Sequence, residues 1–365
     1  MRDFVIIGGG IGGTCTAALL SHQGYTVTLI EKEPYLGGCS STFSHQGYRY
    51  NTGATTFAGY GKGLMVHEFF KTLNLSLPIH PIDPALCIVT AQGTISRFQR
   101  LRPFLDSLEK SLPHHGNEEF WSLVFKVNHA FYTYQNYYYS AASWHQKLTS
   151  LVSFIPFALK FWPYLLKSAD SLLDTYLKDR CALYQQFIDA QLRIVAQTTS
   201  KNLNALSAIL ALGYTFLPNF YVQGGMGTLF DALAPRIGEI HTKTTVKAIE
   251  TIKEGYMVQT DKGEFTSKNI VLNTPVFSSS ALFKNSTVRA YFDRFKPLDN
   301  DQSAFMLYLT FASSDLFEHH YQLLLDTPFA YTTSSALFVS VSDQNDTTIS
   351  PKGISKWSST RSLVR

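Results

Sequence analysis

The chain has 365 residues, 45% hydrophobic and 16% charged, enough ordinary globular sequence for two or three layers sharing large cores. A net charge of +4 is compatible with weak attraction to an anionic membrane surface, but without a lysine-rich stripe it is no nucleic-acid footprint. Four scattered cysteines, Cys15, Cys39, Cys87 and Cys181, form no C-x-x-C, so no metal or disulfide framework is readable and a reducing cytosol is the expected setting.

Phe4-Val5-Ile6-Ile7 is a short apolar strand, not a signal peptide, because a glycine fingerprint rather than a cleavage site follows. In Gly8-Gly9-Gly10-Ile11-Gly12-Gly13 the pattern G-x-G-x-x-G falls on Gly8, Gly10 and Gly13. The first permits a tight turn, the second lets a pyrophosphate approach bare backbone, and the third lets helix and strand pack closely. Residues 14–20 read as the helix, whose N-terminus favours phosphate. A second strand, Thr26 onward, ends at Glu31, placed to accept ribose hydroxyls.

The next segment selects the dinucleotide. Leu36-Gly37-Gly38-Cys39-Ser40-Ser41 is a second glycine pair that a nicotinamide site does not need. FAD is longer, and backbone amides with small hydroxyls suit its path. Gly47-Tyr48-Arg49-Tyr50-Asn51-Thr52-Gly53 then reads as an edge strand entering another glycine turn.

These residues resemble the FAD-dependent phytoene desaturase superfamily, in particular its carotenoid isomerase and retinol saturase branch. Later segments are similar too: Tyr221-x-x-Gly224-Gly225-x-Gly227, Val246-x-x-Ile249, Val271-Leu272-Asn273-Thr274-Pro275, and the stretch from Ser340 to Gly353. The resemblance implies an α/β chain: a Rossmann-like FAD-binding domain with an inserted helical and β-sheet substrate domain. It implies FAD as cofactor, held by Gly8, Gly10, Ile11, Gly12, Gly13, Glu31, Lys32, Gly38, Cys39, Ser40, Ser41, Gly53 and Val246. It also implies an apolar polyene substrate that is desaturated, saturated or isomerised. Monoamine oxidases usually carry Gly-Gly-Arg where this chain has Gly37-Gly38-Cys39, which argues against the amine-oxidase alternative. Cys39 reads as a small residue tolerated beside the cofactor rather than as a reactive thiol.

The expected organisation is a first FAD-binding part at 1–90, a mainly helical region facing substrate or membrane at 91–221, a return to the FAD domain at 222–280, and substrate-domain strands at 281–349. Residues 350–365 look atypical. Motif agreement stops near Gly353, and the polar, basic run after it suggests a frame-shifted or truncated product with one wall of the flavin site missing, leaving an inactive relative as a further alternative.

Within the helical region Pro103, Pro113, Pro156 and Pro163 are expected interruptions. Residues 151–173 are apolar and aromatic with interspersed lysines. They read equally as an element lying in a membrane interface and as a buried cap over the substrate; the prolines argue against a bilayer span. The tyrosines at 132, 134 and 137–139 read as helix packing rather than a tunnel lining. His45, His114-His115 and His319-His320 are spaced unlike metal ligands and are expected on surfaces or loops. No catalytic acid or base is readable, as a polyene offers no handle for one. The expected location is cytoplasmic, peripheral on the inner face of the cytoplasmic membrane; oligomeric state is not readable.

Overall fold

The computed structural model describes residues 1–134, 143–295, 302–312, 315–327, 334–350 and 354–364; Tyr137, Tyr138 and Tyr139 lie outside the described residues. β1 (Arg2–Ile7) passes through the glycine turn into α1 (Ile11–His22) and β2 (Val27–Ile30). β3 (Thr42–His45) and β4 (Tyr48–Asn51) form a hairpin, closed by Gln46 and Gly47 with φ of 50° and 81°. Two successive positive φ values match the twist of the strands they join. β5 (Phe57–Ala58), α2 (Met65–Thr72), β6 (Ile79–Pro81), β7 (Leu86–Thr90) and β8 (Gly93–Arg97) follow. Six helices come next: α3 (Leu101–Ser111), α4 (Asn117–Tyr132), α5 (Trp144–Leu165), α6 (Ala169–Tyr176), α7 (Ala182–Val195) and α8 (Ala205–Gly213). The chain continues through β9 (Asn219–Val222), α9 (Gly227–Leu233), β10 (Glu239–His241), β11 (Val246–Ile252), β12 (Gly255–Thr260), β13 (Gly263–Leu272) and α10 (Ser286–Phe292). Its last strands are β14 (Gln302–Ala312), β15 (His320–Leu324), β16 (Ala336–Val341) and β17 (Ile354–Val364).

The fold is α/β. Strands from both ends of a long insertion build the first sheet, in the order β10-β2-β1-β13-β12-β11. β1 is parallel to β2 and β13, and β10 is parallel to β2, while β13, β12 and β11 form an antiparallel meander. Val5, Ile6, Leu29 and Ile30 are buried on both faces, as a continuous apolar run in a central parallel strand must be. The second sheet, β14-β17-β16-β15-β7-β8, also joins distant segments. β7, inside the stretch expected to serve the dinucleotide domain, runs parallel to β15 here, with Cys87 opposite Tyr321.

Helices α3 to α8 pack around Trp121, Phe104, Phe120, Phe187 and Phe216, all fully buried. Pro103 sits in the first turn of α3, where its missing N–H has no partner to lose. Pro156 and Pro163 do not break α5, contrary to expectation. The helix runs on for 22 residues, opened by Ser143, whose hydroxyl accepts the N–H of Gln146. Each proline removes one rung, but edge-on contacts of Phe157 and Phe161 with Phe131 hold the inner face in place. Among the described residues, α5 is one helix long and apolar enough by length and composition to cross a membrane.

The segment expected to be an atypical tail is part of the second sheet. β17 is antiparallel to β14 on one side and β16 on the other, with Trp357 opposite both Leu309 and Val341. A ladder is made by backbone groups, so it accepts a Ser- and Thr-rich strand as readily as an apolar one.

Candidate dinucleotide site

The site begins where three parallel strands end. β1 delivers the chain to Gly8, whose N–H donates to the Ile30 carbonyl at the end of β2. On the other side, the Asn273 N–H donates to Ile7 just beyond β13. The chain then reverses into α1, so a helix N-terminus faces the C-terminal edge of the sheet, where open α/β sheets take their ligands. Gly13 makes this turn feasible: a Cβ there would stand 2.0 Å from the Gly8 carbonyl oxygen. Gly10 and Gly12 pack against the Asn273 side chain instead, and the Ile11 side chain is exposed. Asn273 Nδ2 also donates to Gly8 O at 3.2 Å, and the Thr14 hydroxyl donates to Gly9 O at 2.9 Å.

Glu31 is buried at the end of β2. One carboxylate oxygen accepts the Gly9 N–H at 2.6 Å and the other accepts the Glu33 N–H at 2.8 Å. A carboxylate offers about four lone-pair positions, so two N–H bonds orient it and leave acceptors for a pair of hydroxyls. Lys32, its neighbour, points outward and makes a loose pair with Glu33 at 3.8 Å, so its side chain takes no part in the cradle. Thr244 donates its N–H to the Glu31 carbonyl, which brings the start of β11, and with it Val246, toward the Glu31 side of the turn.

The second glycine pair lies directly on the first. Gly37 donates to Gly9 O at 2.7 Å, and Gly37 bridges Gly10 in parallel fashion. Its φ of 104° is left-handed, and a Cβ there would meet the Phe230 ring at 2.5 Å. From Gly38 a single 3₁₀ turn carries Cys39 and Ser40 outward and turns Ser41 in, where it is buried. Gly53 rests on this turn, since a Cβ would lie 2.9 Å from Cys39 O, and Ala54 donates to that same carbonyl. Gly8 to Gly13, Glu31, Gly38 to Ser41 and Gly53 therefore form one continuous backbone surface.

Several supporting residues were not foreseen. The Thr42 hydroxyl accepts the Gly227 N–H at 2.8 Å and donates to Asn51 Oδ1 at 2.9 Å, and that oxygen also accepts the Met226 N–H. The glycine-rich return segment is thereby clipped to the β3–β4 hairpin. Asp346, buried, takes the Tyr221 hydroxyl at 2.7 Å and the Gly224 N–H at 2.8 Å on one oxygen. Burial, then this carboxylate, pushes the Tyr221 phenol well above its usual range. Asn273 was legible in principle: it is a polar residue closing the Ile-Val-Leu run of a central parallel strand.

Between the hairpin and the second sheet lies a small cavity of about 40 Å³, lined by Arg49, Asn51, Thr55, Tyr221, His320 and Ser340, among others. His320 corrects the expectation that the histidines sit on surfaces or loops. It is buried in β15, with Nδ1 3.0 Å from Ser340 Oγ and Nε2 3.2 Å from Thr56 Oγ1. The Ser340 and Thr55 hydroxyls are 2.7 Å apart. Burial, aided by His319, depresses the His320 pKa to about 3, so the ring is neutral. A larger open cleft of about 430 Å³ flanks the same hairpin, walled by Phe43, Tyr48, Tyr50 and Tyr308. Among the described residues no three His, Cys, Asp or Glu side chains gather as metal ligands.

Residues 6–73 match the family of NAD(P)-binding Rossmann-like domains. Over 96% of its length the chain is 22% identical to the chloroplastic prolycopene isomerase of Daucus carota, and it covers 60% of that protein. Over 22% of the chain, identity to the phytoene desaturase of Phycomyces blakesleeanus reaches 43%, covering 13% of that protein. The chain thus spans about 60% or less of the curated relatives named here. In fold it is similar to an oxidoreductase from Methanosarcina mazei, at TM-score 0.65 and 18% identity, covering 98% of this chain and 78% of that one. Putrescine oxidase, with a TM-score of 0.62 and 14% identity, is covered to 75% by the whole of this chain. In sequence the chain is thus similar to a prolycopene isomerase and to phytoene desaturases, and in fold it is similar to oxidoreductases.

Proposed function

We propose that this chain binds FAD and serves an oxidoreductase reaction on an apolar polyene: desaturation, saturation or isomerisation. The observation that carries the reading is the doubled glycine surface, with Gly37 hydrogen-bonded to Gly9 beside an oriented Glu31 carboxylate. A single glycine turn with an acid serves any adenine dinucleotide; a second glycine loop laid on it extends bare backbone toward the hairpin, as a longer cofactor requires. The residues fit such a group. Helix α1 presents its N-terminus to a pyrophosphate, Glu31 keeps acceptors for ribose hydroxyls, and Gly38 to Ser41 with Gly53 line the continuation. FAD bound there would supply a two-electron acceptor for hydride.

The protein's own part is to bind, orient and exclude water. The cleft walled by Phe43, Tyr50 and Tyr308 offers aromatic faces to a flat apolar chain. No acid or base need stand at the reacting carbons, and neutral His320 is well placed only to order Thr55 and Thr56 behind the glycine turn. A substrate of this class dissolves in membranes, so the workplace we propose is a membrane surface. The relatives named prolycopene isomerase and phytoene desaturase support the substrate class, and Cys39 in place of arginine supports it over amines.

Purification with added FAD tests the cofactor: a yellow protein whose flavin spectrum survives gel filtration is expected, and a colourless folded protein would overturn the reading. Anaerobic titration then tests the substrate class. Polyenes in detergent should perturb or bleach the flavin and amines should not; bleaching by amines alone would reverse the assignment.

A further inference from the structure

We propose that α5 is an in-plane anchor for an anionic phospholipid surface. The helix carries large apolar side chains on two opposite sides, and only one of those sides is covered. On the inner side Phe161 is 1% exposed and lies with Phe157 against Phe131 of α4. On the outer side Trp144, Leu148, Leu151, Val152, Ile155, Leu159 and Trp162 are exposed, as is Leu166 one residue beyond; Leu159 and Leu166 reach 75% and 78%. At 3.6 residues per turn these eight positions fall within an arc of about 100°. Their combined exposed area is on the order of 900 Å², above the roughly 300–600 Å² of the largest apolar patch on a typical monomer. A helix apolar on both sides belongs in a core or against lipid.

Charge decides what the outer face meets. Residues 120–169 contain four lysines, Lys126, Lys147, Lys160 and Lys167, and no aspartate or glutamate. Their combined charge equals the net +4 of the whole chain, so the rest of the sequence is neutral on balance and its positive excess falls in this segment. Lys147 and Lys160 are exposed and lie outside the apolar arc on opposite sides, Lys147 about 40° from its edge and Lys160 about 80°, with the Lys160 ammonium 5.9 Å from the Phe161 ring; long stems let both reach headgroups while the rings and leucines enter the acyl boundary. An ordinary protein partner would need matching acids around an apolar strip; an anionic bilayer offers both without them. The helix is long enough to span, at about 33 Å for its 22 residues. It lies flat instead, because turning it upright would pull Phe157 and Phe161 from the core.

The full chain is floated with vesicles of phosphatidylcholine alone or mixed with phosphatidylglycerol. Binding to the mixed vesicles is expected, with blue-shifted tryptophan emission and release by high salt. Leu159→Ser with Trp162→Ser should weaken it roughly tenfold or more while leaving the thermal midpoint in place, since both side chains are already in water. Lys147→Glu with Lys160→Glu should abolish the preference for phosphatidylglycerol. Three results overturn the proposal: parent protein that neither floats nor shifts its emission, serine variants that float like the parent, or light scattering showing a dimer that the serine variants dissolve. The last would make a second copy the occupant. Flavin uptake is measured on the same variants and should be unchanged, so a failed cofactor reading and a failed membrane reading are told apart.

Discussion

The dinucleotide cradle and the helical body are stabilised in opposite ways. In the cradle, backbone touches backbone: Gly13 against Gly8 O, Gly37 against Gly9 O, Gly53 against Cys39 O. In the helical body, large side chains converge on one cation. Arg97 is fully buried, stacked between Phe104 at 4.4 Å and Trp121 at 4.7 Å, and bonded to Leu212 O, Thr215 and Gln191. Among the described residues no carboxylate pairs with it, and burial lowers its pKa to about 10. Contacts between main chains leave no room for an added atom, whereas a side-chain cluster can be refilled by another side chain of similar size.

The largest effect follows from the first half of that contrast. Gly13→Ala places a methyl carbon 2.0 Å from the carbonyl oxygen of Gly8, in a turn whose own N–H is tied to Ile30 of the sheet, so neither partner can swing away. A loss of about 4 kcal/mol or more is expected in urea unfolding, together with loss of flavin uptake. An alanine variant with the parental midpoint would mean that the turn is not built as described.

Arg97 tests the other half. Arg97→Ala opens a cavity and leaves acceptors unpaired, which should cost about 3 kcal/mol. Arg97→Met refills the space between the rings and strands no charge, because no acid was paired with the guanidinium; its loss should be less than half of that. Equal losses in urea titrations of the two variants would make the hydrogen bonds, not the packing, the source of stability, and the contrast with the cradle would narrow.

The same contrast explains what could be read from the sequence. The cradle was legible because backbone contacts demand glycine at fixed spacing, and no other residue substitutes there. The environment of Arg97 was not, since its partners Gln191 and Thr215 lie 94 and 118 residues away and carry no local mark. The residues of α5 announced an apolar helix, but sequence period could not say which side was covered, and its prolines were read as breaks. His320 was misplaced because a His-His pair reads as polar loop. The alternation His320, Gln322, Leu324, all buried, puts it on the inner face of β15, and the polar pair His320 and Gln322 masked that strand signal.

Within the cradle itself, orientation separates two neighbouring candidates. Glu31→Gln keeps the shape but loses the charge, and should weaken FAD binding roughly tenfold to a hundredfold by isothermal titration. Lys32→Ala removes an exposed pair and should change neither binding nor stability by more than about 0.5 kcal/mol. Equal losses would show that the local field, not the oriented carboxylate, recognises the cofactor.

The gentlest test sits between the cradle and the second sheet. His320 joins them, reaching Ser340 in that sheet and Thr56 behind the glycine turn. Its folded pKa of about 3 lies below the ordinary 6.5, so below pH 6.5 the unfolded chain binds a proton that the folded chain refuses. Stability contributed by the neutral ring is complete above that pH and falls by about 1.4 kcal/mol per unit as the solution is acidified toward pH 3. The cavity is lined by Arg49, Tyr50 and Tyr221, with His319 adjoining; the nearby Asp346 carboxylate is engaged by the Tyr221 hydroxyl, and among the described lining residues no carboxylate would welcome the imidazolium. His320→Gln retains a donor and an acceptor but cannot titrate. Between pH 7 and pH 5 the parent should lose about 2 kcal/mol more than this variant in urea unfolding. Parallel pH profiles would mean that the ring is hydrated and already free to charge, and that cradle and second sheet are joined by contacts other than this histidine.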